Sequence, residues 1–270
     1  MAAYLRPLNS DETAALTVAM AESGRRLDLS ELPSPHLDKH STGGVGDKAT
    51  LVVLPILAAC GLTMVKMSGR GLGITGGTID KLESIPGFRV AMPHEDLLAI
   101  AHTTGIVLSA QTSDLAPADG VLYALRDATC TVESIPLIVA SIMSKKIAGG
   151  ADTVVLDVKC ASGAFMKTLN DARTLATALI DTARRCGMRA TAAITDMSQP
   201  LGSTVGNALE VMEAAETLCG GKGRFRELCV TLAAHALVTT GLATHDMEAE
   251  AKARQALDSG AAAERASQWI

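Results

Sequence analysis

Strand-like apolar runs alternate with helix-period runs through the middle of this chain, and that alternation restricts its fold more than any other feature. Residues 63–67, 106–110, 153–159 and 190–196 read as strands, while 95–104, 119–127, 135–148 and 171–185 carry helical spacing. After 196 the pattern is helical to the end. Crossover helices between strands make the strands parallel, so the pattern predicts an α/β fold with a central sheet flanked by helices. Such a sheet is covered on both faces. The composition suits this, because 48% of the residues are apolar and only 2% aromatic, which makes the core aliphatic, and 270 residues suffice to bury it. Consecutive helical pieces at the start and near 119–148 predict a small helical domain visited twice. The expected segments are 1–30 and 118–148 for that domain, and 35–112 and 152–270 for the α/β domain. Asn9 and Glu12 have capping-box spacing ahead of an apolar series through Leu16 and Met20, which Gly24 ends.

Charge and cysteines exclude several classes. The formal net charge is -5 with no run of lysines or arginines, which argues against nucleic acid or an anionic membrane as a partner. The six cysteines, at 60, 130, 160, 186, 219 and 229, form no CxxC pair, so neither a zinc site nor a disulfide framework is expected. The longest apolar stretch, 49–60, is far short of a membrane span, and the first residues lack a signal pattern. The expectation is a cytoplasmic protein.

Two glycine-rich turns dominate the chemistry. The first runs Asp38-Lys39-His40-Ser41-Thr42-Gly43-Gly44-Val45-Gly46-Asp47-Lys48 into an apolar helix from Ala49. The second runs Ser68-Gly69-Arg70-Gly71-Leu72-Gly73-Ile74-Thr75-Gly76-Gly77-Thr78 from a strand into a helix over 79–85. Glycines let backbone N–H groups approach a ligand, and helix N-termini favour anions. Lys39 with the hydroxyls of Ser41, Thr50, Ser68 and Thr78 would complete a phosphate cradle. Either loop alone is also what ordinary tight turns look like; two together favour an anion site. Gly71-x-Gly73-x-x-Gly76 has dinucleotide-binding spacing, but 89–93 offers no acidic residue to meet a ribose. Gly46 is followed by Asp47 rather than lysine, so the first loop is not a Walker A motif.

Ser141 and Lys145 lie four apart on a helix and face the same way. They could face a cleft, or Lys145 and Lys146 could be surface charges complementing the helix dipole. Arg126 could equally pair with a nearby acid. The remaining histidines lack metal-like spacing and read as structural.

These segments together resemble the thymidine/pyrimidine-nucleoside phosphorylase family. The blocks are residues 68–83, residues 38–47, Gln111 to Asp119, Asp157-Val-Lys159 and Asp196-Met-Ser-Gln-Pro-Leu201. The resemblance implies an α/β domain plus a small helical domain with the active site between them. It implies phosphorolysis of pyrimidine nucleosides, with inorganic phosphate as co-substrate and no organic cofactor. Phosphate would lie on Lys39, Ser41, Ser68 and Thr78, with Thr50 where the family often has serine. The base would lie on Arg126, Ser141 and Lys145, and protonated His40 would reach its O2. Lys66 resembles the pyrimidine-type members, implying that uridine is accepted as well as thymidine. The resemblance also implies potassium held by Gly46, Lys48, Leu201, Thr204 and the carboxylate of Glu213, with Lys48 and Thr204 departing from the usual residues.

Ile74 replaces the histidine usual in the second loop. The family implies a homodimer, but its members begin two to three helices before Met1 and continue past Ile270. The chain is thus expected to be incomplete at both ends, to dimerise poorly and to expose Leu16, Met20 and the 135–143 helix. The other readings are a phosphorylase-like binding protein without turnover, a nucleotide-cofactor oxidoreductase, and a phosphoribosyltransferase. The last would need diphosphate and magnesium, and no acidic pair is evident beside the glycine loops.

Overall fold

The structure is a computed structural model that describes residues 1–71, 76–110 and 112–270. Leu72, Gly73, Ile74, Thr75 and Gln111, which belong to two of the sequence blocks, lie outside the described residues.

Every strand pairs in parallel. β1 (Leu37–Ser41), β4 (Thr153–Cys160) and β5 (Arg189–Asp196) form a sheet in the order β1-β4-β5, while β2 (Met64–Ser68) and β3 (Ile106–Ala110) form a second pair. The register sets Ser41 beside Asp157 and Ser68 beside Ala110. A side chain spans the two sheets: the Lys66 ammonium donates to the carbonyl of Lys39 at 2.5 Å and to Asp38 Oδ1 at 3.0 Å.

β4 shows why the strands read as near-continuous apolar runs. Val155 packs into one core with α3 (Ala49–Ala59), α10 (Arg224–Thr240), α11 (Asp246–Asp258) and α12 (Ala261–Trp269). Val154, Leu156 and Val158 point the other way, into a core with α7 (Ile135–Ala148) and α8 (Leu169–Arg185). Alternate side chains meet opposite faces, and both faces are covered. α3 is buried on nearly all sides, as an apolar run without a polar stripe requires. At the chain end, Trp269 meets Phe88 edge-on with ring centroids 5.9 Å apart, docking α12.

α2 (Ser10–Ala21) starts with the expected capping box: Asn9 Oδ1 accepts from the Glu12 N–H, and Glu12 Oε2 accepts from the Asn9 N–H, each at 2.9 Å. The expected exposure of this region is met only in part, since Leu16, Ile135 and Ile138 are half-buried. Met20 is 3% exposed, and Val139 and Met143 are fully buried, because α2, α7 and α8 cover one another.

The helices and strands otherwise fall within a few residues of their expected ranges, with two differences. The helix expected over 79–85 is the shorter α4 (Thr78–Leu82). β1 falls where the sequence reads as a loop, since four of its five residues are polar. It is a strand because neighbouring elements neutralise those side chains: Asp38 lies between Lys66 and Lys146, and Lys39 faces Asp157.

Leu179 on α8 is fully buried in the core beneath β4. Leu179→Ala is expected to cost about 2–5 kcal/mol, read as a lower urea midpoint at an unchanged denaturant slope.

Candidate active site

A cavity of about 880 Å³ opens where β1 and β2 end, since Ser41 and Ser68, the last residues of those strands, both line it. Ligands of parallel α/β sheets bind at the carboxyl ends of the strands, where loops rather than side-chain layers meet the solvent. One side of the cavity carries the hydroxyls of Ser41, Thr50, Ser68 and Thr78. The other carries Asp119, Tyr123 and Arg126 from α6 (Pro117–Ala128), and Ser141 and Lys145 from α7. His40, Lys66 and Lys146 also line it. The fold therefore brings residues about 100 positions apart in sequence to one space.

Lys39 does not line the cavity. Its side chain is fully buried with Nζ 3.3 Å from Asp157 Oδ2, and Nζ has no hydrogen-bond partner among the described residues. Asp157 also meets Lys159 Nζ at 2.8 Å and accepts from the Thr195 hydroxyl at 2.6 Å. Ser41 donates its hydroxyl proton to Asp47, a lining carboxylate that the sequence reading passed over. Burial works against ionising Asp47, yet Lys159, Lys39 and the hydrogen bonds from Ser41 and the Ala49 N–H hold its carboxyl far below the usual range.

A second buried network lies against His40. Asp38 accepts from Lys66 at 3.0 Å and from Lys146 at 2.8 Å. Burial opposes its ionisation, but the two lysines keep it below the ordinary carboxylate range. Lys66 is pushed down to about 7 by burial, which outweighs the pull of Asp38. His40 is held well below the usual imidazole range, first by burial and then by Lys146, Lys66, Lys145 and Lys39. Burial and the surrounding lysines thus disfavour the imidazolium expected at the base O2.

On the opposite side, Lys145 donates to Asp119 Oδ2 at 2.5 Å and to the Ser141 hydroxyl at 2.9 Å. Burial lowers its pKa although Asp119 works the other way. The Arg126 guanidinium donates to the carbonyls of Val132 at 2.6 Å and Leu137 at 3.2 Å, which fixes its plane beside Tyr123. Lys146 is 3% exposed and belongs to the Asp38 network rather than to the surface.

The second loop is tied at both of its described ends. Asp80 accepts from the N–H groups of Gly71 at 2.6 Å and Gly77 at 3.1 Å, and Lys81 donates to the Gly76 carbonyl at 2.8 Å. A Cβ at Gly77 would lie 2.2 Å from the Gly71 nitrogen, so only glycine closes this loop. Two carboxylates, Asp80 and Glu83, stand beside the loop, and Arg70 binds both.

Lys48 departs most from its expected role. Its ammonium donates to the Thr204 carbonyl at 2.8 Å and to Glu213 Oε2 at 2.6 Å, among the atoms expected to hold potassium.

The profile of the glycosyl transferase family, a/b domain, matches residues 34–263. The chain belongs to this family. It is 52% identical over 263 residues to the pyrimidine-nucleoside phosphorylase of Geobacillus stearothermophilus, covering 97% of this chain and 61% of that protein. It is 51% identical over 266 residues to the pyrimidine-nucleoside phosphorylase of Staphylococcus haemolyticus, covering 98% and 61%. The chain thus spans about three fifths of the length of the curated relatives it matches. Among solved structures it is similar to anthranilate phosphoribosyltransferase from Thermus thermophilus, with a TM-score of 0.79 at 20% identity over 98% of this chain and 85% of that one. The enzyme from Saccharomyces cerevisiae gives 0.70 at 12%, over 97% and 79%. These two likenesses concern the fold alone. Among the described residues no helix is long and apolar enough to cross a membrane.

The His40 shift has a measurable consequence. An unfolded chain takes up this proton near pH 6.5, whereas folded His40 resists it. The contribution to stability is therefore present above about pH 6.5 and lost as the pH falls toward the folded value, at up to about 1.4 kcal/mol per pH unit. Urea midpoints near pH 7.5 and pH 5.5 are expected to separate further for the native chain than for His40→Gln.

Proposed function

We propose that this site performs phosphorolysis of pyrimidine nucleosides, converting uridine, thymidine and deoxyuridine to free base and α-(deoxy)ribose 1-phosphate. The observation that carries the reading is one cavity lined by Ser41 and Ser68 at the strand ends, by Thr50 and Thr78 at the starts of α3 and α4, and by Arg126, Ser141 and Lys145 from α6 and α7. The names of the half-identical relatives point the same way.

Phosphate would sit on Ser41, Thr50, Ser68 and Thr78. Ser41 must then turn its proton from Asp47 to a phosphate oxygen, while Asp47 keeps the Ala49 N–H at 3.1 Å. Lys39 acts from beneath, as an ammonium lacking a hydrogen-bond partner among the described residues. A phosphate oxygen attacks C1′ as the bond to the base breaks, giving inversion at that carbon. The barrier is the poor leaving group, a pyrimidine anion. Lys145 and Arg126 are fixed by Asp119 and by backbone carbonyls, so their charge meets the developing anion without reorganisation.

His40 enters through its linkage to charge. Lysines and burial hold it neutral, and an arriving phosphate dianion offsets the lysines and raises its proton affinity. The proton then donates to the base O2 as the bond breaks. Lys66, about half protonated at pH 7, can accept the ribose 2′-hydroxyl in its neutral form and so admit uridine.

The potassium implied by the resemblance does not fit, because the Lys48 ammonium already donates to Thr204 and Glu213. No step needs it. The reading also places the protein in the cytoplasm, with nucleoside and phosphate as partners. We propose a homodimer for the assembled protein, for which exposed Val121 and Leu125 on α6 offer apolar surface.

Chromatography of uridine or thymidine incubated with and without inorganic phosphate tests the reaction. Free base is expected only with phosphate, reduced about 10²-fold or more in His40→Ala. Release without phosphate would mean hydrolysis and sink the mechanism. For specificity, Lys66→Met is expected to spare thymidine and lower uridine turnover, and an unchanged ratio of the two would remove Lys66 from that role.

A further inference from the structure

The contacts of Lys48 explain why potassium does not fit and say what replaces it. The side chain is fully buried, and its ammonium faces a carboxylate, a main-chain carbonyl and a ring: Glu213 Oε2 at 2.6 Å, the Thr204 carbonyl at 2.8 Å and the Phe225 centroid at 5.5 Å. Glu213 is itself held from four directions. Its Oε2 also accepts from the Thr204 N–H at 2.9 Å and the Thr204 hydroxyl at 2.6 Å, and its Oε1 accepts from the Ser203 N–H at 2.7 Å. Burial would raise this carboxyl, but these donors and Lys48 bring it down to about 2. Gly202, at φ +76°, leaves room for it, since a Cβ there would lie 2.3 Å from Glu213 Oε1.

We infer that the Lys48 ammonium is a tethered monovalent cation, which joins the first glycine loop to the turn at 201–204 and makes that junction independent of alkali ions. Three observations support this. The charge is balanced, since one ammonium meets one ionised carboxylate, and an added potassium ion would bring an uncompensated positive charge next to a buried one. The geometry is converged on the cation: Gly46, at φ +73°, brings the loop so close that a Cβ there would lie 2.9 Å from the Leu201 carbonyl and 3.3 Å from that of Thr204. The Leu201 N–H closes the same junction onto the Val45 carbonyl at 3.0 Å. Finally, Lys48 is flanked by Asp47 and lies two residues before Thr50, both of which line the cavity, so the tether fixes the loop that positions them. A covalently attached cation has a high effective concentration and cannot be dialysed away. Lys48 is thus a positioning residue rather than a catalytic one.

The test is thermal melting of the chain in potassium, sodium and tetramethylammonium chlorides at matched ionic strength, for the native protein, Lys48→Ala and Lys48→Met. The native midpoint is expected to be the same in all three salts. Lys48→Ala leaves the half-buried Glu213 without its cation, so its midpoint in tetramethylammonium is expected about 10 °C lower. Potassium should restore part of that loss in Lys48→Ala, and less in Lys48→Met, where the side chain still fills the space. A native midpoint that rises specifically in potassium overturns the inference, and so does a folded Lys48→Ala that gains nothing from potassium. If neither variant folds, the native comparison decides alone. Base release plays no part in this readout, so failure here is distinct from failure of the phosphorolysis reading.

Discussion

Two carboxylates buried on neighbouring parallel strands hold the functional end of this molecule together. Asp38 on β1 binds Lys66 of β2 and Lys146 of α7, and Asp157 on β4 meets Lys39 of β1 and Lys159 of its own strand. An unpaired buried ammonium is costly, so Lys66, Lys146 and Lys39 each fix the element that carries them relative to the strand that carries their acid. The two sheets, the glycine loops and α7 are thereby held in one arrangement. With Asp47 included, the four lysines Lys39, Lys66, Lys146 and Lys159 face three carboxylates across this layer, and Lys66, pushed down to about 7, carries only part of a charge at pH 7. The phosphate of the proposed reaction would bring negative charge to this layer.

The same layer accounts for the state of His40. Burial first, and then the lysines of this layer, hold the imidazole well below its usual range. One field thus couples the two halves of the proposed reaction: the co-substrate that attacks the sugar is also what allows the acid to be charged. The side of the cavity formed by α6 and α7 works differently. Lys145 and Arg126 are held by Asp119 and by carbonyls of residues 132 and 137, so their directions are set before any ligand arrives.

Much of this was legible in the sequence, and the exceptions share a cause. Strands such as 106–110 and helices such as 135–148 follow from local apolar periodicity, which a chain displays whatever its partners are. β1 does not, since Leu37-Asp38-Lys39-His40-Ser41 has the composition of a loop and becomes a strand only through acids and lysines far away in sequence. Lys146 could not be told from a surface lysine, because its partner is 108 positions earlier. Lys39 stands out in its block, but which face of the strand it uses depends on Asp157. Burial of Met20 and α7 likewise needed α8, whose position no local pattern gives.

By itself the sequence determined the element types, the parallel α/β class, the glycine positions where no Cβ fits, and the set of hydroxyls and cations from which a site is built. These follow from local physics: periodicity, backbone freedom and side-chain chemistry. The tertiary structure alone decided which cations face the cavity and which are neutralised beneath it, how weakly His40 holds a second proton, and that Lys48 takes the place expected for a metal ion. Those outcomes depend on distances and desolvation between residues remote in the chain. The electrostatics of a buried group are set by what packs around it, not by its neighbours in sequence.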